Sequence, residues 1–214
     1  MPAVIEMRHL EVPDFSRIEV GDGLDVMVMA GAPRRVSISA PDTETADRVV
    51  AEVHGDTLRL SFRHGLLGWL GNRRVNITCS APTIEAVRAG AGSDVRLLAI
   101  PTPQLELDCS AGSRLLAERI DTERLIAAAA SGSVVTLAGR CDIAELKSSS
   151  GASIDAGGLH ASRVEGESSS GSRISADADD GARVSAASGS HIDLRGRPRR
   201  FDRHTSGGGS VRVG

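Results

Sequence analysis

GASIDAGGLHASRVEGESSSGSRISA, residues 151 to 176, holds the pattern that decides the fold: Gly151-Ala152-Ser153-Ile154 at its start returns twenty residues later as Gly171-Ser172-Arg173-Ile174. A glycine, a small residue, any residue and then an aliphatic one recur on both sides of it. The copies are Gly92-Ser93-Asp94-Val95, Gly112-Ser113-Arg114-Leu115, Gly132-Ser133-Val134-Val135, Gly189-Ser190-His191-Ile192 and Gly208-Gly209-Ser210-Val211, seven in all. The steps between their glycines are 20, 20, 19, 20, 18 and 19 residues. An unstructured Gly/Ser linker has no reason to keep glycines in register with aliphatic side chains, so the spacing marks a structural repeat.

Two residues beyond each aliphatic stands another apolar residue: Leu97, Ala117, Leu137, Ala156, Ala176, Leu194 and Val213. That alternation belongs to a strand with one buried face. A second apolar pair precedes the next corner, as in Leu105 with Leu107, Leu125 with Ala127, Ala144 with Leu146, Val164 with Gly166 and Val184 with Ala186. Each repeat is therefore expected to hold two short strands. Twenty residues bury no face alone, but rungs stacked at the sheet spacing of about 4.8 Å pair every strand around a continuous core. The expected fold is all-β, a parallel β-helix or β-solenoid with about 20-residue rungs. Val95, Leu115, Val135, Ile154, Ile174, Ile192 and Val211 should form one inward ladder, with a positive-φ glycine at each corner. Ser148 to Ser150, Ser168 to Ser170, Ser188 and Ser206 should fall in register as a ladder of hydroxyls along one edge.

Upstream of residue 90 the texture changes to longer alternating strands: Arg17 to Val20, Leu24 to Met29, Arg35 to Ala40, Val49 to His54, Thr57 to Phe62 and Arg74 to Ser80. Turn signals such as Gly21-Asp22-Gly23, Gly31-Ala32-Pro33 and His54-Gly55-Asp56 separate them. Only Asp42 to Asp47 has the look of a helical turn. One domain over 1–214 is expected, with an N-terminal set of longer strands and a cap over 1–89 and seven rungs over 90–214.

Composition narrows the function. With three Phe, one Trp and no Tyr, the core must be thin and built of Val, Ile, Leu and Ala, and stacking of sugars on aromatic rings is hard to arrange. The net charge of −3 gives no basic field of the kind nucleic acid attracts, so no nucleic acid partner is expected. Cys79, Cys109 and Cys141 lie at least thirty residues apart and read as small buried strand residues. Met1 to Leu10 contains Glu6, Arg8 and His9 and no signal-peptide core, and no stretch approaches a membrane span of about 20 apolar residues.

Chemistry-bearing patterns are sparse. Asp177, Asp179 and Asp180, with Asp155, Glu165 and Glu167 on earlier turns, are the nearest approach to the paired carboxylates of a polysaccharide-active enzyme or to oxygen ligands for calcium; a solvated acidic turn is the simpler reading. His9, His54, His64, His160, His191 and His204 never fall at metal-site spacing. No nucleophile elbow, phosphate loop or dinucleotide fingerprint occurs, so no catalytic residue, metal or cofactor is expected. Arg195, Arg197, Arg199, Arg200 and Arg203 offer charge to an anionic polymer or lipid headgroup, but read more simply as a charged rung that keeps the last strands from pairing with another molecule. Gly65 to Gly71 gathers Leu66, Leu67, Trp69 and Leu70 into a short apolar loop, which either folds over the open end of the stack as a cap or touches another chain or a membrane surface, and is the candidate contact for a partner.

Asp14-Phe15-Ser16-Arg17-Ile18-Glu19-Val20, Leu24-Asp25-Val26-Met27-Val28, the segment Pro82-Thr83-Ile84-Glu85 leading to Ala89-Gly90-Ala91-Gly92-Ser93, and the Ser-Gly-Ser corners together resemble the putative auto-transporter adhesin, head GIN domain family of bacteria. The resemblance implies a right-handed β-helix-like fold, an envelope or secreted setting and an adhesion role, and it supplies no catalytic or ligand residues. The expected function is a non-enzymatic adhesion or interaction module with a protein or polymer partner. The alternatives are a structural solenoid assembling into homo-oligomers and a polysaccharide-active enzyme.

Overall fold

The computed structural model describes residues 6–63 and 75–214. Its strands form one continuous 17-stranded sheet wound into a parallel β-solenoid. In chain order the elements are β1 (Glu6–Leu10), β2 (Arg17–Val20), β3 (Asp25–Ala30), β4 (Arg35–Ala40), α1 (Thr43–Asp47), β5 (Val49–His54), β6 (Thr57–Phe62), β7 (Asn76–Ala81) and β8 (Ala86–Ala89). There follow β9 (Asp94–Pro101), β10 (Gln104–Cys109), β11 (Arg114–Ala129), β12 (Val134–Ser148), β13 (Ser153–Ser168), β14 (Arg173–Ala187), β15 (His191–Arg195), β16 (Arg200–Ser206) and β17 (Ser210–Val213).

The expected inward ladder is present. Leu115 pairs with Val95 and Val135, then Val135 with Ile154, Ile154 with Ile174, Ile174 with Ile192, and Ile192 with Val211. The first six are fully buried, while Val211 is only partly so, β17 being paired on one edge among the described residues. One expectation shifts on the facing wall. Val164 pairs with Ala182, and Val184 stands opposite Gly166. A Cβ on Gly166 would meet Val184 Cγ1 at 3.2 Å, so the missing side chain makes room for the valine.

Two short strands per repeat are not what forms. In the middle rungs β11 to β14 each run unbroken for 15 or 16 residues. They bend within the strand, where the register slips between Ala117 and Ile120 and Arg119 takes a φ of 59°. Gly139 lies against this bulge; a Cβ there would sit 2.3 Å from the Ile120 carbonyl oxygen, a contact only glycine avoids. Ladder hydrogen bonding therefore continues around a bend that the sequence presents as a loop.

The corners are two-residue turns. Ala111, Ser131, Ser150, Ser170 and Ser188 have φ between 51° and 53°, and each precedes a glycine at 71° or 72°. The next residue's N–H donates back across the turn, as from Ser113 to Ser110 O at 3.2 Å and from Ser172 to Ser169 O at 3.2 Å. Two left-handed residues closed by such a bond form a type I′ turn. The glycine N–H then donates to the carbonyl of the left-handed residue one rung on: Gly112 to Ser131 at 3.0 Å, Gly132 to Ser150 at 3.1 Å, Gly151 to Ser170 at 3.1 Å, Gly171 to Ser188 at 3.0 Å. The expected ladder of serine hydroxyls is replaced by this ladder of backbone groups. Ser150, Ser170 and Ser188 point outward, whereas Ser148 and Ser168 are buried.

A different serine row does the hydroxyl bonding. Ser133, Ser172 and Ser190, each the residue after the corner glycine, are buried. Their Oγ atoms donate at 2.7 Å to the carbonyls of Cys109, Ser148 and Ser168, and accept from the N–H of Ala130, Ser169 and Ala187. Ala152 interrupts the row. In the rung above, Ser168 Oγ bonds Ser172 Oγ at 2.8 Å; in the Ala152 rung the matching Ser148 Oγ is buried with no partner.

The N-terminal strands join the solenoid out of chain order. β2 lies between β6 and β8, and β3 between β7 and β9, all parallel. After β1 the chain enters the stack at β2 and β3, leaves it to build the rung beneath, and returns through β8. β5 pairs antiparallel with β6, β4 with β7, and β1 with β4. α1 closes this end with Thr45 and Ala46 buried; its N-cap Asp42 accepts from Thr45 N–H at 2.7 Å, and Arg8 holds Asp47 at 2.6 Å.

Two stability measurements follow. Ile154→Asp places a charge in a column with no polar partner and should destabilise by about 4 kcal/mol or more, lowering the thermal midpoint by roughly 10 °C, while Ser149→Ala changes it little. Equal melting curves for both and the parent would reject the core assignment. Ala152→Ser supplies the missing partner of Ser148 and should stabilise by about 1 kcal/mol, a rise of some 2–4 °C in the same scan.

Candidate functional site

Outward side chains inherit the register of the rungs, so each stands about 4.8 Å from its counterparts above and below. Opposite charges occupy many of these neighbouring places. Across β5, β6, β2, β8 and β10 run Glu52, Arg59, Glu19, Arg88 and Asp108 in successive pairing. Arg17 reaches past the small Ala86 to Glu106 at 2.8 Å. Arg124 pairs with Glu145, and Lys147 with Glu167 at 3.5 Å. Arg140 donates twice to Asp121, at 2.9 and 2.7 Å, and holds that carboxyl below its ordinary range. Each such exposed pair contributes little because water screens it, but together they favour one stacking register.

The acidic candidates are dispersed by the same logic. Asp177 faces His160 at 3.6 Å, Asp180 faces Arg199 at 3.8 Å, and Glu167 belongs to Lys147. Asp155 accepts from Gly157 N–H at 3.0 Å. Among the described residues no three His, Cys, Asp or Glu side chains gather in a way that could hold a metal ion. The arginine run is likewise divided: Arg199 neutralises Asp180, Arg195 lies over Gly157, and Arg203 falls in the inward row directly above Val184.

One constellation escaped the sequence reading. Ser210 Oγ lies 2.6 Å from His191 Nδ1, and His191 Nε2 lies 3.0 Å from Asp193 Oδ1. His191 and Ser210 are neighbours through the pairing of β15 with β17, and the signal was present in the repeat, where both hold the third place of consecutive corner copies nineteen residues apart. The groups follow the order of a hydrolytic triad but with the ring nitrogens exchanged, Nδ1 toward the hydroxyl and Nε2 toward the carboxylate, and they stand on the outer wall of the last rungs.

The three cysteines are buried and unbridged, as expected. Burial pushes the Cys79 thiol up to about 12 and those of Cys109 and Cys141 up to about 11, from an ordinary 9.0. The candidate contact formed by Leu66, Leu67, Trp69 and Leu70 lies outside the described residues, as does His64.

The class that the fold defines is a β-solenoid with an aliphatic core and charge-paired walls. The chain belongs to the family described as putative auto-transporter adhesin, head GIN domain, whose model matches residues 14–198. Among solved structures it is similar to a putative adhesin from Bacteroides fragilis, with a TM-score of 0.90 at 20% identity over 98% of this chain and 97% of that one. A putative adhesin from Parabacteroides merdae superposes with a TM-score of 0.75 at 13% identity, over 100% and 97% of the two chains. A putative lipid binding protein from Parabacteroides distasonis gives 0.73 at 16%, over 100% and 98%. At these identities the likeness establishes the shared fold. Among curated protein sequences no match to the chain was found.

The cysteines predict an alkaline limit. Their folded-state values lie above the unfolded one, so below pH 9 they add no pH dependence; as pH rises from 9 toward 11, only the unfolded chain ionises and native stability falls. Melting midpoints should be insensitive to these groups up to pH 9 and decline beyond it. A thiol reagent at pH 8 should leave the native protein unlabelled and modify all three cysteines after denaturation.

Proposed function

We propose that the chain is a non-enzymatic adhesion and interaction module of the bacterial cell envelope, acting as one unit over residues 1–214. The observation that carries this reading is the pairing of outward ionisable groups rung against rung, Asp121 with Arg140, His160 with Asp177, Lys147 with Glu167, in place of convergence on a common point. Catalysis needs an acid, a base or a nucleophile aimed at one shared substrate position. These walls instead offer long, rigid rows of charge suited to contact with another macromolecule. Membership of an adhesin family and the solved adhesin folds support the same reading. The envelope setting rests on that membership; among the described residues no helix is long and apolar enough to cross a membrane.

The loop Gly65 to Gly71 is the contact that the sequence favours, since burial of Leu66, Leu67, Trp69 and Leu70 would stabilise a complex by about 1.5–3 kcal/mol for each large side chain. Beads coated with the protein are expected to be retained on mucin, fibronectin or peptidoglycan surfaces more than uncoated beads, without release of reducing ends from polysaccharides. Retention no better than uncoated beads, or sugar release, removes the reading. Replacing Trp69 and Leu70 together with Ser should lower retention or change the mass seen by light scattering at an unaltered melting midpoint. A lowered midpoint with unaltered retention and mass would make the loop a cap only, and a mass that grows with concentration would favour a self-assembling solenoid.

A further inference from the structure

Toward residue 214 the inward rows continue onto strands that are paired on one edge only among the described residues. β16 pairs with β14 and β17 with β15, and among the described residues neither has a neighbour on its other edge. The buried row Ala182, Val184 and Ala186 is continued by Phe201, Arg203 and Thr205, and the row Ile192 and Leu194 by Val211 and Val213. Phe201 is 39% and Val213 42% exposed, although the residues one rung below are buried. All seven residues of β16 are exposed. The end of the stack is thus an apolar column cut open, with a guanidinium on the axis side and two rows of unsatisfied backbone groups.

Charge gives this end a sign. Residues 181–214 hold seven Arg and two Asp, 7 − 2 = +5, and since the whole chain carries −3, residues 1–180 carry −3 − 5 = −8. Arg183 meets Asp202 at 3.5 Å and Arg199 meets Asp180, but Arg203 has no carboxylate within salt-bridge distance among the described residues. Any strand laid over β16 would cover Arg203 and remove it from water, which is unfavourable unless that strand brings a carboxylate.

We propose that β16 and β17 form a docking edge for an extended acidic polypeptide segment, which adds to the solenoid as one more strand. The inference deepens the reading of the chain as an interaction module and rests on it. A polypeptide is indicated because only a backbone offers N–H and C=O groups at strand spacing to an open edge. Acidity is indicated by Arg203 and by the +5 of residues 181–214, of which the Arg199–Asp180 pair offsets one charge, 5 − 1 = +4. A second copy meeting this end with its own C-terminal end would set Arg203 and like fields against each other, and an anionic polymer without a backbone would leave the edge and Phe201 unmatched. The complementary strand places apolar residues over Phe201 and Thr205 and a carboxylate over Arg203.

The test uses the full chain and two fluorescein-labelled heptapeptides, Thr-Val-Thr-Glu-Thr-Val-Thr and its counterpart with Lys in place of Glu, read by fluorescence anisotropy. The Glu peptide should bind at least tenfold tighter than the Lys peptide, and Arg203→Glu, an exposed change that circular dichroism should show to be folded, should reverse that preference. Phe201→Asp should weaken the Glu peptide at least tenfold. Equal binding of the two peptides, no binding, or a preference unmoved by Arg203→Glu overturns the proposal. So does adsorption to phosphatidylglycerol vesicles lost in Arg203→Glu without peptide binding, which assigns the end to a lipid headgroup. Concentration-dependent growth in mass lost in the same variant assigns it to a second copy and overturns the proposal equally. Failure here with bead retention intact removes only this docking edge; loss of retention as well removes the adhesion reading itself.

Discussion

The structure depends on the corner. Two consecutive left-handed residues reverse the chain within a single turn, the third closes it by a backbone hydrogen bond, and the glycine N–H is left pointing along the stack at the carbonyl of the next corner. L-residues with a side chain resist that conformation, so it persists only where the stack above and below holds it. Ser131, Ser150, Ser170 and Ser188 take it repeatedly because each carbonyl there receives the previous rung's glycine. The corner sets the pitch, and the pitch sets the rest.

A fixed pitch sets side chains on neighbouring rungs against one another. In one inward row Ala156 and Ala176 stand between Leu137 and Leu194, and in another Gly166 yields to Val184. The same constraint explains how a chain with so few aromatic residues retains a continuous core: close stacking lets small residues bury fully. Polar groups enter this interior only where they complete the corner, as Ser133, Ser172 and Ser190 do.

Outside, the pitch acts on charge. Residues nineteen or twenty apart in sequence become nearest neighbours, so a string of acids such as Asp177 to Asp180 meets the arginines of the following rung rather than converging on an ion. The walls are thereby largely neutralised, and the excess positive charge collects at the C-terminal end, where the rows have no further partner. A binding function on such a scaffold lies in edges, ends and long rows rather than in a cleft.

By itself the sequence determined the rung length, the inward identity of Val95 through Ile192, most strand bounds in the first eighty residues and the helical turn at Asp42 to Asp47, because these depend on local periodicity and on glycine. It carried the family as well, through the opening strands and the recurrent corners. Tertiary structure alone decided the rest. The insertion of β2 and β3 between later strands, the pairing of the unforeseen β1 with β4 and the bends hidden within β11 to β14 are all non-local. The serine row shows why: Ser148, Ser149 and Ser150 look alike in the chain, yet one is buried, one half-buried and one exposed. A left-handed corner rotates each successive side chain to a different surface, and only the rung above settles which hydroxyl finds a partner.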